Sequence, residues 1–78
     1  MKTMTCKQLG GACDKEFHGN TFEEIAEQSK LHGMEMYQQQ DSPHLAAMAE
    51  IQKLMQDPHA MKAWFDSKKQ EFEDLSEN

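Results

Sequence analysis

Cys6 and Cys13 are the two thiols of the chain, with six residues between them, and His32 is the histidine that a hairpin followed by a helix would carry back to them. Thiolate sulfur and imidazole nitrogen form a soft donor set, suited to zinc or iron rather than to oxygen-seeking magnesium or calcium. The spacing departs from common zinc patterns, where paired cysteines stand about two to four residues apart. On residues alone the thiols are equally readable as buried hydrophobes, as a local disulfide, or as a reversible thiol sensor. Two cysteines are too few for a disulfide scaffold. A cysteine nucleophile needs a base oriented by a third group, and no orienter for a Cys13–His32 pair is evident. Gly10-Gly11 lacks the Lys-Ser or Lys-Thr of a phosphate loop, and Glu23 and Glu24 diverge on a helix. These residues point away from an enzyme.

What positions the candidates is a short run of elements. Lys2 to Cys6 alternates, with Met4 and Cys6 on one face and Thr3 and Thr5 on the other, and Cys13 to His18 alternates again. The intervening Gly10-Gly11 marks a turn, so the two runs predict a β-hairpin. Thr21 and Glu24 form a T-x-x-E capping box that opens a first helix carrying Phe22, Ile25, Ala26 and Ser29 on one stripe. Gly33 is expected to end it near His32, or to allow one more turn through Tyr37, with Gln38-Gln39-Gln40 as a fraying end. Ser42 as cap and Pro43 as first helical residue open a second helix, and Asp57-Pro58 repeats the device for a third. The third carries Met61, Trp64, Phe65, Phe72 and Leu75, and its acidic tail should fray because the helix dipole disfavours carboxylates there. The expectation is an α+β fold of order β-β-α-α-α: one domain over 1–78, with hairpin and helix in 1–40 and a two-helix module in 41–78. Met4, Cys6, Phe17 and Leu9 form the inner face that the first helix must cover.

This plan has a geometric consequence. The second strand runs away from the hairpin tip by roughly 16–17 Å, and the first helix returns by about 16 Å between Thr21 and His32. His32 therefore comes back to the level of Cys6 and Cys13, while His18 is left at the far end. A fourth donor could come from Asp14, Glu35, His44 or water. Gln28, one turn before His32, faces the same way, but an amide is a feeble zinc ligand. His44 and His59 follow helix-opening prolines and read as solvated first-turn residues.

The run Met4-Thr5-Cys6-Lys7-Gln8-Leu9-Gly10, then Cys13-Asp14, then His32-Gly33-Met34 after an acidic helix, resembles the domain of unknown function 1059 family. That family consists of short bacterial proteins described as predicted small metal-binding proteins, and the likeness covers about the first half of the chain. The resemblance implies a hairpin-helix fold with Cys6, Cys13 and His32 as metal ligands. Members typically carry another histidine one turn before the His-Gly pair, where this chain has Glu27-Gln28.

Composition bounds the partners. Eight basic residues, all lysine, stand against 14 acidic ones for a net charge of −6. Without arginine, and with a surface that repels polyanions, neither nucleic acid nor an anionic membrane is an expected partner. Met1 to Cys6 has no leader-like apolar run, and no stretch nears the roughly 20 residues of a membrane span, so a cytoplasmic protein is expected. The seven methionines read as filler for a thin core rather than as copper ligands. Adjacent Trp64 and Phe65 cannot both face one narrow core, which leaves one as a candidate anchor for a protein partner. The unpaired edges of a two-stranded sheet would also suit a homodimer, unless Lys2 and Lys15 guard them. The sequence thus predicts a small non-enzymatic protein with a zinc-type site at Cys6, Cys13 and His32, or an interaction module whose cysteines are structural.

Overall fold

The computed structural model describes residues 1–76 and has the order β-β-α-α-α. Strand β1 (Lys2–Thr5) pairs antiparallel with β2 (Glu16–Gly19), in the register Lys2 opposite Gly19 and Met4 opposite Phe17. Met4 and Phe17 are fully buried beneath helix α1 (Phe22–Gln38), joined by Cys6, Phe22, Ile25 and Phe72.

The second strand starts later than the alternation predicts. Cys6 leaves the strand as the cap of a 3₁₀ turn over Lys7–Leu9, which Gly10 closes at φ 91°. The Cys6 amide donates to Lys15 O at 2.9 Å and the Lys7 amide to Cys13 O at 3.0 Å. Residues 13–15 are thereby held as a fixed loop beside the turn, and ladder pairing begins at Glu16.

Helix α1 opens on the Thr21–Glu24 capping box and runs through Gly33 to Gln38. An interior glycine costs only about 1 kcal/mol, which packing of the buried Phe22, Ile25 and His32 offsets. The helix ends on a left-handed residue, Gln40 at φ 56°, with the Asp41 amide donating to Met36 O and the Gln40 amide to Tyr37 O. Paired bonds of this kind satisfy terminal carbonyls and turn the chain sharply. Asp41, at the exit, caps helix α2 (Ser42–Met55). The cap is therefore Asp41 and not Ser42, because the carboxylate reaches the His44 amide at 3.2 Å. Helix α3 (Pro58–Asp74) opens on Asp57 as expected. Its acidic end keeps helical form to Asp74, and Lys2 Nζ donates to the carbonyls of Phe72 and Glu73 at 3.0 Å each. A cation at a helix C-terminus is favourable, so Lys2 serves as a clamp on α3.

Candidate metal centre

Four side chains from four parts of the chain meet at the hairpin tip. Cys6 comes from the end of β1, Cys13 from the loop before β2, His32 from the third turn of α1 and His44 from the first turn of α2. One ligand atom from each lies within 4.8 Å of all the others. Cys6, His32 and His44 are buried and Cys13 is half-buried. His18 stands apart on the exposed side of β2, its Nδ1 2.8 Å from Thr3 Oγ1.

The separations suit a small tetrahedral ion. Sulfur at about 2.3 Å and nitrogen at about 2.0–2.1 Å from zinc place neighbouring sulfur and nitrogen about 3.5 Å apart. Here Cys6 Sγ is 3.6 Å from His44 Nε2, and Cys13 Sγ is 3.3 Å from His32 Nε2. The donor set matches the chemistry as well as the distances, since all four atoms are soft or borderline.

The reading of His44 as a solvated residue is overturned: it is 6% exposed. Docking of α2 against α1 turns its first-turn ring inward, edge-on to His32 with ring centroids 5.2 Å apart. Of the fourth donors weighed from sequence, His44 is the one that joins the cluster; Asp14 and Glu35 are exposed. Gln28 does not face the thiols. Its amide accepts from His18 N at 3.2 Å and donates to His18 O at 2.6 Å, stitching α1 to β2.

Asp41 is the residue that sequence reasoning missed altogether. His44 Nδ1 lies 2.5 Å from Asp41 Oδ2, the oxygen that also accepts the His44 amide. The signal was present as D-x-x-H, a cap residue followed by a histidine one turn in. His32 contrasts with it: its Nδ1 is buried and unpartnered among the described residues.

The thiols are electrostatically unequal. Burial pushes Cys6 above the ordinary thiol range, against the opposing pull of the Cys13 and Ala12 amides. Burial also raises Cys13, but hydrogen bonding to the Lys15 backbone and to His44 and Cys6 outweighs it, leaving Cys13 below its ordinary value. Hydrogen bonding to Asp41 raises His44, whereas burial lowers His32.

Gly11 makes room for a thiol of the cluster and Gly10 for the apolar side chains beside it. A Cβ on Gly11 would fall 2.1 Å from Cys6 Sγ, and one on Gly10 would fall 3.1 Å from both Ile51 and Trp64. Beside Cys6 and the two imidazoles lies a cavity of about 350 Å³ whose walls include Leu9, Met48, Ile51 and Trp64. Trp64 is thus half-turned inward, while Phe65 is 41% exposed with its edge on Phe22, ring centroids 5.3 Å apart. The adjacency does divide the pair, one side chain toward the cavity and the other toward solvent.

Comparison of the chain with protein-family models, with curated proteins and with solved structures finds no match. No helix among the described residues is long and apolar enough to cross a membrane.

Proposed function

We propose that this is a small non-enzymatic protein that binds a soft divalent metal ion, zinc foremost, through Cys6 Sγ, Cys13 Sγ, His32 Nε2 and His44 Nε2. The observation that carries this is the four-donor cluster within 4.8 Å. The likeness of the first half to predicted metal-binding proteins supports it, with one change: the fourth donor comes from α2, where that family has a second histidine on the first helix. A complete set of protein ligands leaves no open position for substrate, the arrangement of structural rather than catalytic zinc. Both cysteines are free thiols, as metal ligation needs and as a reducing compartment maintains.

Native mass spectrometry of chelator-treated protein reloaded with zinc tests the reading, with Co(II) absorption reporting the geometry. One bound ion per chain, lost in Cys13→Ala, and the intense visible bands of tetrahedral thiolate-bound cobalt are expected. A bare mass at excess zinc, with the protein reduced, would overturn it.

A further inference from the structure

We infer that Asp41 is the positioning residue for the fourth ligand: its carboxylate accepts the Nδ1 proton of His44 and so presents a bare Nε2 to the two thiols. This inference rests on the metal-binding reading and adds to it the group that orients one donor. A neutral imidazole carries one proton, and the nitrogen that holds it is decided by the hydrogen bond its other side makes. With Nδ1 at 2.5 Å from Asp41 Oδ2, the proton belongs on that nitrogen, and the lone pair of Nε2 is left facing Cys6 Sγ at 3.6 Å. Carboxylate–histidine–metal relays of this kind fix ring orientation and raise ligand basicity.

The position of Asp41 adds a second effect. His44 lies in the first turn of α2, at the positive end of the helix dipole, where a metal-bound imidazole is disfavoured. A carboxylate on the capping residue offsets that field at the same place. The other histidine lacks such support: His32 Nδ1 has no partner among the described residues. The two imidazoles are therefore different ligands, one with its Nδ1 held by a carboxylate and one whose Nδ1 side is held by packing, including a tilted contact with Phe17.

Asp41 also caps α2, so the test must separate capping from orientation. Ser and Asn cap nearly as well as Asp. Asp41→Ser keeps the cap and removes the carboxylate, while Asp41→Asn keeps a neutral acceptor of the same reach. Zinc affinity, measured by chelator competition, is expected to fall about 10- to 100-fold in Asp41→Ser and less in Asp41→Asn, with both metal-free proteins still folded and their melting temperatures lowered by the loss of the Asp41–His44 ion pair. Nitrogen-15 spectra should show His44 protonated at Nδ1 in the neutral, metal-free wild type and a mixture of tautomers in Asp41→Ser. Wild-type affinity in Asp41→Ser, or a wild-type His44 protonated at Nε2, would overturn the inference. Failure of the wild type to take up zinc at all would overturn the metal reading instead, and the tautomer would still decide the role of Asp41.

Discussion

Cys13 Sγ and His32 Nε2 face each other at 3.3 Å across nineteen residues of chain. The pair joins the loop before β2 to the middle of α1, and His44 Nε2 completes the circle from a third direction at 3.6 Å from Cys6 Sγ. Four donors from four parts of the chain, with one atom of each within 4.8 Å of the others, are close enough to share a single small ion.

The unequal support of the two histidines gives a ranking. His44→Ala removes an oriented ligand and leaves Asp41 without its imidazole partner, whereas His32→Ala removes a ring whose Nδ1 has no partner among the described residues. Both variants should bind zinc more weakly than wild type, His44→Ala the weaker of the two. In the metal-free state His32→Ala should be destabilised less than a cavity-forming core substitution, because it also removes a buried unsatisfied nitrogen. Chelator competition and chemical denaturation measure the two effects.

Gly11→Ala should impair the site without touching a ligand. Its Cβ would fall 2.1 Å from Cys6 Sγ, so either the sulfur or the 3₁₀ turn must move. The expected cost is about 1–3 kcal/mol in stability, together with a marked loss of zinc affinity. Gly33→Ala is the control. Its Cβ would meet Met48 Cε at 3.9 Å, an ordinary contact within a helix, and a gain of about 0.5–1 kcal/mol follows from helix propensity. Equal behaviour of the two variants would refute the argument.

The pH dependence of the metal-free and metal-bound proteins should diverge. His44, raised above its ordinary 6.5 by Asp41, contributes stability that is complete below that value and is lost as pH rises through its folded value. Asp41, held below its ordinary 3.8 mainly by hydrogen bonding to His44, contributes stability above that value and loses it as pH falls through its folded value. His32, lowered chiefly by burial, works the other way from His44: as pH falls below 6.5 the unfolded chain takes up its proton first and folding weakens. Zinc needs both imidazoles and both thiols deprotonated. The stabilisation by zinc should therefore grow with rising pH while the contribution of the Asp41–His44 pair declines. Melting temperatures with zinc and with chelator, recorded from weakly acid to weakly alkaline pH, should separate progressively.

Gln40 offers a test outside the ligand set. It holds a left-handed conformation at φ 56°, which glycine adopts without the steric cost borne by other residues. Gln40→Gly should stabilise the metal-free protein by up to about 1 kcal/mol, less the loss of the Gln40 side-chain bond to Tyr37 O. Since the turn that follows places Asp41, zinc affinity should not decrease. Denaturant titration reads the first effect and chelator competition the second.

Much of this was legible in the residues. Thr21 and Glu24 announced α1, Asp57-Pro58 announced α3, and strand alternation named Met4, Cys6 and Phe17 as core. The convergence of Cys6, Cys13 and His32 followed from the equal reach of a short strand and a three-turn helix. The failures have one physical source, competition between local and tertiary preferences. Asp41 and Ser42 are both good caps, and only the path out of Gln40 decides between them. A histidine in a first turn is solvated unless the helix docks by that turn, and docking is not written in the local sequence. Gln28 shares a helical face with His32, yet the backbone of His18 claims its amide.

The ligands stand at positions 6, 13, 32 and 44, so an ion bound there would close the chain into a circuit that ends at the first turn of α2. Everything beyond that point is a tail outside the ring. Its far end is fastened back to the beginning by Lys2 Nζ on the carbonyls of Phe72 and Glu73 and by the burial of the Phe72 ring in the core, a clasp of lower strength than a metal bond. Under load or heat the loaded protein should therefore open from the α3 clasp inward, with the ring surviving as the last knot.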